Sequence, residues 1–348
     1  MIIGDYFNKN LTKVESYPSK YFDTDVVMKL NASENHYIKD LFRDFNFDFS
    51  KVIYYPDSRV INLASKLAEK LGLNSAQLGF GNGSDEVIDL LIAMFVNEDE
   101  NVIVNTPTFP MYKYFATVRG RNVKEISRKL DLTIDVIGII KNLDSKDKLV
   151  FIDSPGNPTG RTIAEEDLVK ILDTGLIVVL DEAYSEFSTQ NFIHLLQKYE
   201  NLIIIRSFSK WAGLAGVRLG YMIAVPQVIE KFNSIRPIYN VSSIAQELGI
   251  YVLDNYEKFE SAKQKLLTSK IKIQESLDSN KYKVLSTETP FILVKLVDGD
   301  IEVLISYLEK NNVFVKRVKN EIMVNCISFC PPKISKVNEF LYILNNFK

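Results

Sequence analysis

An α/β fold with a mostly parallel sheet is what this 348-residue sequence predicts. Three observations predict it. Apolar runs recur through the middle of the chain at Asn101–Asn105, Lys148–Asp153, Leu176–Asp181 and Leu202–Ser207. They are continuous rather than alternating, as strands covered by helices on both faces are. Helical stretches lie between them, such as Ala164–Leu172, with Ala164, Leu168, Ile171 and Leu172 on one face. Each run also ends on a polar or turn signal: Asn105-Thr-Pro, Asp153-Ser-Pro-Gly, Asp181-Glu-Ala-Tyr and Ser207-Phe-Ser-Lys. Ligands of open α/β sheets bind beyond the carboxyl ends of strands, so these signals converge on one edge.

A second unit follows. Pro226 to about Lys270 reads as helical and links the two. Beyond Tyr282, the strand-like runs Phe291–Leu296, Val313–Lys316 and Ile322–Cys326 alternate with helices at Ile301–Lys310 and Ile334–Phe347. That pattern predicts a smaller α+β unit. The expected division is residues 1–35 as an arm or part of the small unit, 36–270 as the large unit and 271–348 as the small one.

Composition narrows the function. The formal net charge of −2 gives no general attraction to nucleic acid or anionic membrane. No window approaches the ~18 apolar residues of a membrane span, and the first residues lack the pattern of a signal peptide. A cytoplasmic location is expected. The two cysteines, Cys326 and Cys330, are too few for a zinc site and read as reduced, packed thiols. With only His36 and His194 present, neither a His-dependent triad nor a metal centre is expected. No Gly-x-Gly-x-x-Gly follows a first strand, which argues against a dinucleotide-binding dehydrogenase.

Four segments carry chemistry. In Arg206-Ser-Phe-Ser-Lys-Trp-Ala-Gly-Leu-Ala-Gly-Val-Arg218, Lys210 sits just past a strand, with Ser207, Ser209 and Arg218 near in sequence. Hydroxyls and an Arg fork suit a phosphate, and a lysine beside them suits a covalent bond to an aldehyde carried on it. The plainer alternative is a surface lysine in a Gly-rich loop. Gly81-Asn-Gly-Ser-Asp-Glu86 opens an apolar helix, with Ser84 as a capping candidate and free N–H groups for an anion. Taken alone it is a common helix start. Asp181, at a strand end, is placed to be a buried carboxylate that needs a cationic partner, or else a helix cap. Asp153-Ser-Pro-Gly-Asn-Pro-Thr-Gly160 is a tight turn that presents Asn157.

In their order, these segments resemble the fold-type I pyridoxal-phosphate aminotransferases, and within them the histidinol-phosphate aminotransferase group. The resemblance runs from Lys29-Leu-Asn-Ala-Ser-Glu-Asn35 into the C-terminal unit. It is dense at Tyr55-Pro-Asp57, Gly81–Asp89, Pro107–Tyr112, Asn157–Gly160, Asp181–Tyr184, Ser207–Tyr221 and Arg236–Ser243. It implies an aspartate-aminotransferase-like fold whose large domain binds pyridoxal 5′-phosphate. It also implies ping-pong transfer of an amino group from a small-molecule donor to a keto acceptor.

The implied roles follow residue by residue. Lys210 holds the cofactor covalently and then moves the proton. Asp181 pairs with the ring nitrogen, while Asn157 and Tyr184 hydrogen-bond the ring hydroxyl oxygen. Phe109 stacks on the ring. Gly83, Ser84, Asp85, Ser207, Ser209 and Arg218 form the phosphate site. Tyr55 reaches the phosphate of a neighbouring subunit, which implies a homodimer. Tyr17 and Lys316, with Asn157, are the substrate-side candidates.

The substrate side departs from the family. Relatives carry an Arg in a C-terminal strand, in a Leu-Arg-hydrophobic-Thr setting, that clamps a substrate anion. Here Glu321-Ile-Met-Val-Asn-Cys326 puts Met323 at that place, and Lys316 stands where relatives have a second Arg. A usual Asn is also replaced near Thr289-Pro290. One charge-assisted hydrogen bond lost to an anion costs about 1.5–3 kcal/mol, or roughly ten- to a hundredfold in affinity. The expectation is an aminotransferase with an altered substrate-anion site. A decarboxylase of a phosphorylated amino acid is the alternative on the same scaffold. A non-catalytic binding module is disfavoured, because Lys210, Asp181, Asn157 and Arg218 are all present.

Overall fold

The computed structural model describes residues 7–14, 28–285 and 287–347. Its large sheet has seven strands: β2 (Leu78–Asn82), β3 (Asn101–Thr106), β4 (Asn122–Ser127), β5 (Asp147–Asp153), β6 (Ile177–Asp181), β7 (Leu202–Ser207) and β8 (Leu219–Ile223). Their spatial order is β2-β8-β7-β6-β5-β3-β4. β8 runs antiparallel to both of its neighbours, and the other pairings are parallel.

The continuous apolar runs are explained by two cores. Alternate residues of each strand point to opposite faces. Val150, Ile152, Val178, Leu180 and Ile204 enter one cluster, with α1 (Ile61–Leu71), α4 (Val136–Lys141), α5 (Glu165–Leu172) and α7 (Ser243–Asp254). Leu149, Phe151, Val179, Ile203 and Ile205 enter the other, with α2 (Gly83–Phe95), α3 (Met111–Val118) and α6 (Pro226–Ile235). Both sheet faces are therefore dry.

The helical stretch expected from Pro226 to Lys270 is three helices: α6, α7 and α8 (Tyr256–Ser276). It breaks at Arg236-Pro237, where proline disfavours helix in the residue before it, and at Asn255. The division expected at residue 270 falls inside α8.

A second sheet contains β9 (Tyr282–Leu285), β10 (Ile292–Leu296), β12 (Lys316–Val318) and β13 (Cys326–Phe329), in the order β12-β13-β10-β9, all antiparallel. α9 (Ile301–Lys310) and α10 (Ile334–Asn345) pack on it through Leu304, Leu308, Phe340 and Leu344. β1 (Met28–Lys29) pairs in parallel with β11 (Val313–Phe314), tying the N-terminal segment to this unit.

The strand expected at Ile322–Cys326 is corrected. Glu321–Met323 is a 3-10 turn whose Ile322 N–H donates to the Asn320 side chain at 3.0 Å. Asn325 takes a left-handed conformation with φ 59°, and only then does β13 begin, at Cys326. Local side-chain capping outweighs the apolar run here. Both cysteines are buried and free.

Between the sheets, Lys270 on α8 donates to the carbonyl oxygens of Thr287 at 2.8 Å and Thr289 at 2.7 Å. The Glu288 N–H donates to the Gly160 carbonyl oxygen at 2.9 Å. The turn carrying Asn157 is thereby held against the small unit. Among the described residues, no helix is long and apolar enough to cross a membrane.

Candidate active site

The carboxyl ends of β5, β6 and β7 open on a cleft of about 200 Å³. Parallel pairing sets Asp153 beside Asp181, so two acids emerge at the same level. Phe109, Asn157, Tyr184, Ser207, Ser209, Lys210, Ser84, Asp85 and Arg218 all line this cleft. The structure thus gathers residues that lie up to 134 positions apart in the chain.

Lys210 follows β7 by three residues and is partly buried. Its Nζ donates to the Ala32 carbonyl oxygen at 2.9 Å and lies 5.8 Å from the centre of the Tyr184 ring. The Asn35 side chain donates to the Trp211 carbonyl oxygen at 3.1 Å, pinning the loop just after the lysine. Tyr184 is buried and meets Phe291 edge-on at 5.6 Å.

Asp181 ends β6 and is buried. Burial pushes its carboxyl up to about 6, against the hydrogen bonds from Tyr112 and Ala183 and helped by the nearby charges of Asp153 and Asp85. Tyr112 Oη donates to its Oδ2 at 2.7 Å, and the Ala183 N–H donates to its Oδ1 at 3.0 Å.

Asn157 is fixed from behind. Its N–H donates to Asp153 Oδ2 at 2.9 Å. Asp153 is in turn ion-paired with buried Arg128, which also donates to the carbonyl oxygens of Pro107 at 2.9 Å and Leu132 at 3.2 Å. From β12, Lys316 Nζ donates to Asn157 Oδ1 at 3.2 Å. Burial and the charge of Lys210 pull the Lys316 ammonium down to about 8.

At the other end of the cleft, α2 begins at Gly83. Ser84 is not its cap, as the sequence suggested. Asn82 stands at that position without a side-chain bond, and Ser84 lies inside the first turn. The Glu86 carboxylate takes the Asn82 N–H at 2.7 Å instead. The N-terminal amides of α2 are left to face the cleft. Arg218, in a left-handed conformation with φ 58°, donates from Nη2 to Asp85 Oδ2 at 2.8 Å. The Ser209 N–H donates to Ser207 Oγ at 3.0 Å.

Two glycines make this end narrow enough to close. Gly83 has φ 78°, and a Cβ there would lie 2.3 Å from Arg218 Nη2. A Cβ on Gly220 would lie 2.4 Å from the Ser84 nitrogen. Small residues, helix amides, hydroxyls and a guanidinium make an anion cradle. At the opposite end, a buried acid lacks a cationic partner. The arrangement fits pyridoxal 5′-phosphate: phosphate in the cradle, aldehyde near Lys210 and ring nitrogen toward Asp181.

Three other residues singled out in the sequence do not line this cleft among the described residues. Tyr55 is 80% exposed, away from this cleft, and stacks on Tyr239 at 4.4 Å. Tyr17 lies outside the described residues. Met323 is buried with Leu132, Leu293, Val318 and Cys326, off any strand. The Arg of relatives stands in a strand before a hydrophobic residue and Thr, and the strand here reads Cys326-Ile-Ser. The departure is therefore placed at Cys326 rather than Met323. Tyr112, Asp153 and Arg128 line or brace the site and were not among the expected residues. Tyr112 ends the Pro107–Tyr112 motif, which was a usable signal. Arg128, in a solvated stretch after β4, gave none.

The sequence pattern of the aminotransferase class I and II family matches residues 25–341. A histidinol-phosphate aminotransferase of Dehalococcoides mccartyi is 34% identical over 327 residues, covering 91% of this chain and 89% of that protein. That of Pyrococcus furiosus is 38% identical over 268 residues, covering 77% and 76%. The crystal structure of histidinol-phosphate aminotransferase from Sinorhizobium meliloti in complex with pyridoxal-5′-phosphate superposes with a TM-score of 0.88 at 20% identity, covering 98% and 96%. With a match across nearly its whole length and this cleft at its centre, the chain belongs to the class I and II aminotransferases, the pyridoxal-phosphate-dependent transaminases of fold type I.

Proposed function

We propose that this aminotransferase takes its amino group from a donor whose far end is an anion, such as an amino-alcohol phosphate of the histidinol-phosphate kind. The observation that carries this is the cation inventory of the cleft. Arg218 is committed to Asp85 and the phosphate cradle, Arg128 to Asp153, and Lys210 to the cofactor. Lys316, which donates to the cleft-lining Asn157, is the cation these contacts leave for a substrate among the described residues. With Cys326 where the resemblance puts an anion-clamping Arg, that guanidinium is missing, and Lys316 is left to meet the donor's anion and, in the second half, the acceptor's carboxylate.

The cofactor supplies an electron-withdrawing ring conjugated to the substrate's nitrogen. The protein's residues do the rest. The cradle of Ser84, Asp85, Ser207, Ser209 and Arg218 anchors the phosphate, and Asp181 holds a proton on the ring nitrogen. Asn157 and Tyr184 would hydrogen-bond the ring hydroxyl oxygen, and Phe109 would cover the ring. Lys210 would hold the cofactor's aldehyde and, as a free amine, would serve as the base that moves the donor's proton. Lys316 orients the donor.

We place the working unit as a twofold dimer in the cytoplasm. Phe49, Val52, Ile53, Tyr54 and Tyr55 form an exposed apolar stretch backed by Tyr239, more than a lone monomer usually leaves open. The free buried thiols fit a reducing compartment.

Initial rates with histidinol phosphate as donor and a keto acid as acceptor test the reading. Parallel double-reciprocal lines and formation of the new amino acid support it. Release of carbon dioxide from a phosphorylated amino acid, with no amino transfer, points to the decarboxylase instead. Sedimentation at micromolar concentration reports the dimer.

A further inference from the structure

Tyr112 is fully buried at the start of α3. Its ring lies flat on Phe151, with centres 4.5 Å apart and planes 2° from parallel. Phe109 meets it edge-on at 5.6 Å. Two ring contacts therefore fix the phenol, and its hydroxyl donates to Asp181 Oδ2 at 2.7 Å. Ala183 serves Oδ1 of the same carboxylate. The other charged groups facing this pair are Asp153 and Arg128, themselves ion-paired at the ends of β5 and β4, and Asp85 on α2. Burial and the neighbouring acids hold the phenol's own proton on far above its ordinary range, so it stays a donor at any working pH.

A hydrogen bond to a buried carboxylate favours its ionised form and lowers its basicity. We propose that Tyr112 is a positioning residue for the cofactor's ring nitrogen: by donating to Asp181 it keeps that carboxylate ionised, so the proton the two share stays on the nitrogen. Without the hydroxyl, Asp181 is a stronger base and draws that proton to its own oxygen. The ring then loses its positive charge and pulls electrons less. It also repels a proton on the Lys210–cofactor linkage less, so that linkage stays protonated to higher pH. This rests on Asp181 facing the ring nitrogen.

The test is a titration of the cofactor's visible band in the loaded enzyme, with pyridoxal phosphate affinity and steady-state rates measured alongside. In Tyr112→Phe the cofactor is retained, and the midpoint of the band moves to higher pH by about half a unit or more. kcat falls roughly tenfold, with KM changed little. Phe151→Leu loosens the stack but keeps the phenol, and its midpoint stays with wild type. The proposal is overturned if Tyr112→Phe titrates like wild type or no longer binds the cofactor. It is equally overturned if Phe151→Leu shifts the midpoint as far as Tyr112→Phe. Absence of any visible band in wild type sinks the cofactor reading itself, which separates that failure from the others.

Discussion

Lys316 reaches from the small sheet to donate to the side chain of Asn157, at 3.2 Å, on the turn that follows β5. One ammonium of the small unit thus contacts a residue that lines the cleft of the large one. With Asn157 Oδ1 accepting from Lys316, the amide N–H groups would be the part of this side chain that donates to a bound cofactor.

Lys316→Met keeps the length of the side chain and removes the charge. The cofactor band is expected to persist, while KM for an anionic donor rises about ten- to a hundredfold. The wild-type profile carries a sign as well. The ammonium is pulled down to about 8, so it is charged below that pH and neutral above it in the free enzyme. kcat/KM for an anionic donor should therefore fall as pH rises past about 8, and Lys316→Met should lose that limb. Unchanged profiles in the variant would remove Lys316 from substrate binding.

The phosphate cradle depends on missing side chains. Gly220→Ala puts a methyl group against the Ser84 amide nitrogen, and Gly83→Ala puts one against Arg218. Each is expected to weaken pyridoxal phosphate binding by at least about tenfold, measured by equilibrium dialysis of the apoprotein. Gly175→Ala, where a Cβ meets nothing within 4 Å, controls for backbone strain, since that glycine also has a positive φ of 82°.

Beneath the cleft, Arg206 and Glu182 form a buried ion pair, with Nη2 and Oε2 2.7 Å apart. Arg206→Met leaves the carboxylate buried and unpaired. Stability should drop by about 3–5 kcal/mol, read from urea unfolding. Removing both charges in Arg206→Met with Glu182→Leu should restore much of the loss. If the double variant is no more stable than the single one, the cost is packing rather than charge.

The large sheet was legible because burial on two faces writes itself as unbroken apolar runs: β7 matches its expected bounds at Leu202–Ser207. That Lys210, Asp181 and Asn157 share one cleft was legible because Asp181 ends a strand and the other two follow one, where topology forces convergence. What was not legible depended on local capping or on side-chain reach. The run Ile322–Cys326 looks apolar enough for a strand, yet Asn320 and Asn325 bend it into a turn and shift the altered anion position to Cys326. Ser84 looked like a cap because the glycine before it allows the helix to begin one residue earlier. Tyr112 stood at the end of a motif, but its bond to Asp181 lies 69 positions away, and Arg128 reaches Asp153 25 positions away with no local signal at all.

The most direct measurement is the absorption spectrum of wild type and Lys210→Ala, each mixed with pyridoxal phosphate and then with an amino donor. The expected result is a visible band in wild type that is absent from the variant and lost on adding the right donor. Identical spectra for the two proteins, with no covalent linkage formed, would contradict the assignment of Lys210 and with it the account of the site.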